Sequence, residues 1–358
     1  MKSLIYIAVL MGLALLLGSC GHEEPWTHQS NWLCSINSDG TGFKMLQKDL
    51  LNIGARDMFM TSDDKIIMYG KRLWITDPEV ISLMPITPSD FELWRQPARL
   101  SQSRDGSKFY FAANTEIYQL SYPDYQLTML TNEQVRLFRN PIVSDLGNFI
   151  TYSSTGYGYP LKDTDYLYCM NLKTGLSSLI NTTHSANDSV ACNAYYSETE
   201  DYVYYENYGL HRSKLDGSQY SIVDGSGSSY YPYSCYQFSG DGRHVLRFVD
   251  VGFNPRVRCY DLKDNTAVEF DAIVDVLSGP KAKMSMNANK VFYAKPRYGS
   301  DPFSSTLVMY DLDTDTVLTL FDTIGDITID SVVMLAPTWD GSKVYFYAEL
   351  SELNESRE

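Results

Sequence analysis

Ser103-Arg104-Asp105-Gly106-Ser107-Lys108-Phe109-Tyr110-Phe111 joins a polar turn to three consecutive aromatics. Asp-Gly between β-formers is a tight hairpin signal. The same order recurs at Ser62 to Tyr69, Ser144 to Ile150, Ser197 to Tyr204, Ser239 to Leu246, Met286 to Tyr293 and Trp339 to Phe346, making seven copies. Turn anchors at 64, 106, 147, 201, 242, 289 and 341 are separated by 42, 41, 54, 41, 47 and 52 residues, a mean of about 46. A second signature alternates with the first: a strand, a turn, another strand. It begins at Leu33, Leu73, Ile117, Leu167, Leu210, Val257 and Leu307, again seven times.

Each unit therefore holds four strands, a to d, in about 46 residues. Four antiparallel strands repeated at that period make a propeller blade. Strands such as Phe109-Tyr110-Phe111 and Val344-Tyr345-Phe346-Tyr347 are apolar on successive residues. That predicts burial on both faces, as stacked blades require, where a sandwich would alternate. The chain opens with a c-d pair near Trp32 to Leu46 and closes with an a-b pair near Leu335 to Leu350. Joined, the two halves complete one blade and remove the edge strands. The expected fold is an all-β, seven-bladed propeller over 32–350, closed by N-terminal c-d strands pairing with C-terminal a-b strands.

The repeat wording resembles the TolB-type, WD-like propeller repeat. Ser239-Gly240-Asp241-Gly242 and Tyr260-Asp261-Leu262 carry the likeness, although no copy has the proline of that motif.

Residues 1–19 read as a leader. A short positive start, Met1-Lys2-Ser3, precedes an apolar run from Leu4 to Leu17. The uncharged stretch 3–19 is short for a spanning helix. Leu17-Gly18-Ser19-Cys20 resembles the lipobox of bacterial lipoproteins, which implies cleavage before Cys20 and diacylation of its sulfur. The membrane would then be met through an N-terminal diacylglyceryl-cysteine. Gly21-His22-Glu23-Glu24 resembles the surface-export signal of Bacteroidetes lipoproteins, which implies the outer face of the outer membrane. A periplasm-facing lipoprotein is the alternative. Residues 20–31 are the tether and 351–358 a polar tail.

With 29 Lys plus Arg against 44 Asp plus Glu, the 358-residue chain has a formal charge of −15, and −16 once 1–19 are removed. That argues against nucleic acid, whose phosphates need a basic face. Five cysteines remain after Cys20. Counting back from the turns places Cys34, Cys169 and Cys259 at one c-strand position in three blades, too far apart to bridge. Cys192 and Cys235 start neighbouring a-strands and are the one pair able to meet.

In such a blade the a-b and c-d turns share one face, and the b-c and d-a connections share the other. The first kind reads as tight turns of two to four residues. The second reads as long, near 87–97, 132–139, 154–165, 181–191, 224–233, 251–256, 271–282, 295–305 and 321–333. Long loops on a rigid scaffold concentrate function. Tyr157, Tyr159, Tyr208, Tyr230, Tyr231, Tyr233 and Tyr298 gather there and form the candidate binding face. Tyrosine offers rigid amphipathic area at small entropic cost, suiting protein or sugar.

Enzyme motifs are weak. Neither Gly-x-Ser-x-Gly nor His-Glu-x-x-His nor Cys-x-x-Cys occurs, and no catalytic residue, metal or cofactor is implied. His211 and His244 fall in strands and read as packing residues. Asp311-x-Asp313-x-Asp315 resembles the start of a calcium loop but lacks its glycine and terminal glutamate. The expectation is a monomeric, lipid-anchored, non-catalytic binding propeller for a protein or glycan partner. The rival is a polysaccharide lyase or glycosidase with its site in the central funnel.

Overall fold

The computed structural model describes residues 30–50, 55, 57–79, 82–89, 100–113, 116–132, 136–144, 147–156, 165–182, 195–196, 202–206, 209–224, 237–239, 242–251, 254–272, 274–275, 279–296 and 305–352. Among these residues seven of the eight sheets are radial blades, each with strands a-b-c-d from the axis outward; the eighth pairs Val274–Asp275 with Gly279–Pro280, between blades 5 and 6 in sequence. Blade 1 is Asp57–Met60, Ile66–Tyr69, Leu73–Thr76 and Met84–Pro85; blade 2 is Ser101–Gln102, Lys108–Ala113, Glu116–Ser121 and Leu127–Met129. Blade 3 is Arg136–Val143, Phe149–Gly156, Asp165–Asn171 and Ser177–Thr182; blade 4 is Tyr195–Tyr196, Tyr202–Glu206, Leu210–Lys214 and Ser221–Asp224. Blade 5 is Gln237–Phe238, His244–Val251, Asn254–Asp261 and Thr266–Phe270; blade 6 is Ala282–Met284, Lys290–Pro296, Ser305–Asp311 and Thr316–Phe321. Blade 7 takes Ile327–Pro337 and Lys343–Glu352 from the C-terminal end and Ser30–Asn37 and Lys44–Lys48 from the N-terminal end.

The closure is an unbroken antiparallel ladder of eight pairs, from Ser30 opposite Leu350 to Asn37 opposite Lys343. The fold is thus the seven-bladed propeller expected from the repeat. Among the described residues the buried apolar side chains fall into seven clusters, one between each pair of adjacent blades. Alternation sorts them. In Lys343–Glu352, Val344, Phe346, Ala348 and Leu350 pack toward blade 6, while Tyr345 and Tyr347 pack toward blade 1. This is why the strand is apolar without a period of two. Each c-strand also carries an aliphatic residue at one register: Leu33, Leu73, Ile117, Leu167, Leu210, Val257 and Leu307 are all at most 1% exposed.

The a-b turns are uniform. They span 61–65, 103–107, 144–148, 197–201, 239–243, 285–289 and 338–342, five residues in every blade. Their anchor is a buried hydroxyl. Ser103 Oγ accepts the Lys108 N–H at 3.0 Å and donates to Asp105 Oδ1 at 2.6 Å. Thr338 does the same for Lys343 and Asp340. Ser144, Ser239 and Ser285 likewise take the N–H that opens their second strand, and Thr61 takes that of Lys65, the residue before its second strand. The sequence alignment on Ser62, Met286 and Trp339 is therefore one residue late in three copies. Gly106, Gly147, Gly242 and Gly341 each stand three residues after the hydroxyl residue and donate their N–H to its carbonyl.

Three connections expected to be long are mostly strand. Arg136–Val143 covers much of 132–139, and Ile327–Pro337 covers much of 321–333. At 251–256 the strands stay paired as far as Val251 opposite Asn254. Pro255 signals a break, but it stands at the strand tip, where a break costs least. The cysteine alignment also shifts. Cys169 and Cys259 stand two residues before Asn171 and Asp261, and each packs toward the next blade. Cys34 stands three before the equivalent Asn37 and packs toward blade 6. The blade 7 turn is one residue shorter: Asn37 N–H reaches Thr41 O, whereas Asn171 N–H reaches Leu176 O. Counting back from the turn glycine hid the offset. All three are buried thiols that form no disulfide among the described residues; burial pushes the Cys34 and Cys259 thiols up to about 12. They serve as small apolar groups. Cys20, Cys192 and Cys235 lie outside the described residues.

The turns also lean on neighbouring blades. Gly217, at φ +81, would place a Cβ 2.6 Å from the Ile180 carbonyl oxygen of blade 3. Gly175, at φ +70, has open space around that position. Gly217→Ala is expected to cost about 1–3 kcal/mol in urea unfolding, and more than Gly175→Ala, which pays the backbone cost alone. Equal losses would show that the blade 3 contact is soft.

Candidate functional site

Strand direction defines the two faces of the disc. The five-residue a-b turns and the c-d turns, four to seven residues long, lie on one. The b-c and d-a connections lie on the other, and several are longer: 49–56, 86–100, 157–164, 183–194, 225–236, 271–281 and 297–304. Tyr157, Tyr159, Tyr208, Tyr230, Tyr231, Tyr233 and Tyr298 all lie outside the described residues. The described strand ends that flank them in sequence belong to blades 3 to 6, one sector of the ring.

At the base of that sector, blades 4 and 5 are tied by a buried ion pair. Arg247, from strand b of blade 5, is fully buried and donates through Nη1 to Asp224 Oδ2, at the last residue of blade 4. Tyr260 Oη donates to the same oxygen, and its ring lies 5.8 Å from the guanidinium. Sequence reading did not single out Asp224 or Arg247. The only signal was a charged residue within an otherwise apolar strand, Val245-Leu246-Arg247-Phe248-Val249.

Similar polar pairs finish other blades on this face. Thr131 Oγ1 donates to the buried Glu116 at 2.5 Å and accepts the Ile117 N–H at 2.9 Å. In the equivalent position Arg256 Nη1 donates to Asp271, and Thr306 Oγ1 donates to Asp322 at 3.2 Å. One pair of positions, at the start of strand c and just past strand d, thus carries a different polar pair in each of three blades.

The axis is crossed by a lysine. Lys283, on the inner strand of blade 6, reaches past blade 7 to blade 1. There its Nζ meets Asp57 Oδ1 at 2.5 Å, donates to the Met58 carbonyl, and lies 4.1 Å from the Phe59 ring centroid. Lys281 Nζ donates to Val333 O at 2.7 Å, and Gln237 exchanges two hydrogen bonds with the Met284 backbone. Near the short turns, Trp339 Nε1 donates to Met60 O at 2.9 Å. These contacts lace the inner strands of blades 5, 6, 7 and 1 across the seam.

The two strand histidines do not converge. His211 is buried in a stack between Tyr205 and Tyr220, and its Nδ1 is 2.6 Å from Tyr220 Oη. His244 is buried at the short-turn end of blade 5, with Nε2 3.7 Å from Asp261. Among the described residues no group of three or more His, Cys, Asp or Glu is arranged to hold a metal. The acids of Asp311-x-Asp313-x-Asp315 serve their turn. Asp311 accepts the N–H groups of Asp313 and Thr314, Asp313 accepts from Asn289, and Asp315 accepts from Tyr310. Burial, with Asp315 beside it, pushes the Tyr310 hydroxyl up to about 12.

On the short-turn face hydrogen bonds hold Asp39 and Asp105 below the usual carboxylate range, whereas burial, with Asp340 beside it, raises Asp64. Burial alone would raise Asp261, but hydrogen bonds from Arg243 and from the Asp264 and Lys263 N–H groups outweigh it and lower it to about 2. A folded pKa below the unfolded value, near 4, contributes stability above pH 4 that is lost as pH falls toward 2. Asp261→Asn should therefore cost about 1–3 kcal/mol at neutral pH. The gap from wild type should close between pH 4 and 2 in a series of urea melts. A gap unchanged at pH 2 would assign the loss to packing.

No family model matches the chain, and no curated protein matches it. Solved structures do. An oligogalacturonate lyase from Vibrio parahaemolyticus aligns over 94% of this chain and 96% of its own, at 10% identity and a TM-score of 0.54. An oligogalacturonate lyase in complex with manganese aligns over 92% and 98%, at 12% identity and a TM-score of 0.58. A putative TolB from Agrobacterium tumefaciens aligns over 90% and 98%, at 14% identity and a TM-score of 0.47. At these identities the likeness is one of fold.

Proposed function

We propose that this protein is a lipid-anchored, non-catalytic binding propeller that presents its long-connection face to a protein or glycan partner from the outer surface of the outer membrane. The observation that carries the reading is the asymmetry of the disc. Seven a-b turns of identical length occupy one face, while connections of up to fifteen residues, 86–100, occupy the other. Evolution of loops on a rigid ring is how such folds acquire binding surfaces. The sequence positions of the seven candidate tyrosines, between strand ends that face that second side, support the reading. Both strand histidines are spent on packing, which favours binding over catalysis.

The full-length fold match to oligogalacturonate lyases keeps a second reading, a polysaccharide lyase or glycosidase working in the funnel. Incubation with oligogalacturonate separates the two. Unsaturated uronate product, rising with enzyme concentration, overturns the binding reading; a glycan array or co-purification partner without turnover supports it. The anchor has its own test. Cys20→Ser should move the protein from the membrane to the soluble fraction, and protease should shave the wild-type protein from intact cells. Unchanged fractionation of Cys20→Ser overturns the anchor, and full protection overturns the surface location.

A further inference from the structure

Blade 7 fixes where the tether leaves the disc. Lys343–Glu352 starts from the a-b turn at 338–342 and so runs from the short-turn face to the long-connection face. Ser30–Asn37 is antiparallel to it, with Ser30 opposite Leu350. Ser30 therefore stands at the long-connection face. At the other end of the ladder the Ser38 N–H binds Ser342 O at 2.8 Å, on the short-turn face.

Cys20 precedes Ser30 by ten residues. Ten residues span at most about 35 Å when fully extended. The eight-residue strand Ser30–Asn37 measures the disc thickness there, about 26 Å at 3.3 Å per residue. To bring Cys20 beneath the short-turn face, the tether would spend about three quarters of its reach running back along the disc. It would also have to pass outside the edge strand Lys44–Lys48, leaving almost no stand-off. Leaving directly from Ser30 costs nothing.

We propose that the anchor holds the propeller with its long-connection face toward the membrane, and that the partner bound there is a membrane-embedded protein. This rests on the lipobox and binding-face readings above. The mature chain carries −16, and Glu23 and Glu24 lie within the tether itself. An anionic lipid surface repels such a chain. A protein that projects from the bilayer meets the face inside the tether's reach without that penalty. A long soluble glycan would have to enter the gap beneath the disc.

Two exposed positions near the seam report the orientation: Thr314 in the short turn of blade 6, and Asp326 beside Glu352 on the opposite face. The lipidated protein, labelled at Thr314→Cys or Asp326→Cys, is placed in phosphatidylcholine vesicles containing a headgroup quencher. Quenching several-fold stronger at 326 than at 314 is expected. Equal quenching, or stronger quenching at 314, overturns the orientation. Quenching that survives Cys20→Ser shows instead that the anchor reading has failed. In intact cells, a photo-crosslinking residue at 326 should give an adduct that fractionates with integral membrane proteins, and the same residue at 314 should not. Adducts to glycan, adducts at both positions, or none overturn the partner.

Discussion

Deleting residues 336–352 is expected to abolish cooperative unfolding. The deletion removes the strand that pairs with all eight residues of Ser30–Asn37, so the ring opens at its only covalent gap. It also strips two interfaces at once. Val344, Phe346 and Leu350 leave the cluster shared with blade 6; Tyr345 and Tyr347 leave the cluster shared with blade 1. All five are at most 3% exposed. At about 1.5–3 kcal/mol for each buried side chain, the loss is on the order of 10 kcal/mol. A domain has about 5–15 kcal/mol in total. Calorimetry should find no single melting transition. Phe346→Ala probes the same seam more gently and should cost about 3–5 kcal/mol while leaving one transition. A truncated protein that still melts once, at the wild-type temperature, would refute closure by the two termini.

The ring was legible because its determinants are local and repeated. An aliphatic residue holds one register of each c-strand, and a polar turn precedes each b-strand. Seven copies average out the errors of any one. The phase of the repeat then dictated the composite blade without any long-range information. What escaped was register. Asp-Gly is a conspicuous pair, but the turn is held by a buried Ser or Thr whose hydroxyl meets a backbone N–H five residues on, or four in blade 1. Three copies were begun one residue past that hydroxyl, and counting back from the c-d turn misplaced Cys34. Loop lengths were overread where proline stands at a strand tip, as Pro255 does.

The site was less legible for a physical reason. Residues on the inner strands act across the axis, between segments far apart in sequence. Lys283 and Asp57 meet over 226 positions, and nothing in either local context marks the other. The tyrosines could be assigned to a face from topology, since every b-c and d-a connection must fall on one side. Their number says nothing about what they bind. Asp224 and Arg247 were missed because a lone charge in an apolar strand has two meanings, an error in the strand assignment or a buried pair, and only the neighbouring blade separates them.

That pair yields the second large expected effect. Asp224→Ala removes the carboxylate that accepts from Arg247 and Tyr260 while the guanidinium stays in the interior. Taking one partner from a buried pair costs about 3–5 kcal/mol, because the remaining charge keeps its desolvation penalty. Arg247→Met removes that penalty with the charge and fills similar volume, so its cost should be much smaller. The combination Asp224→Ala with Arg247→Met should then be more stable than Asp224→Ala alone, a reversal that packing loss cannot produce. Strictly additive losses in urea melts would mean that the pair is electrostatically idle. Asp224 is also the last residue before 225–236, the connection that carries Tyr230, Tyr231 and Tyr233. Any ligand affinity of the long-connection face that depends on how blades 4 and 5 are clamped should fall in Asp224→Ala and return in the double variant. Affinity that falls in both would place Asp224 itself against the ligand.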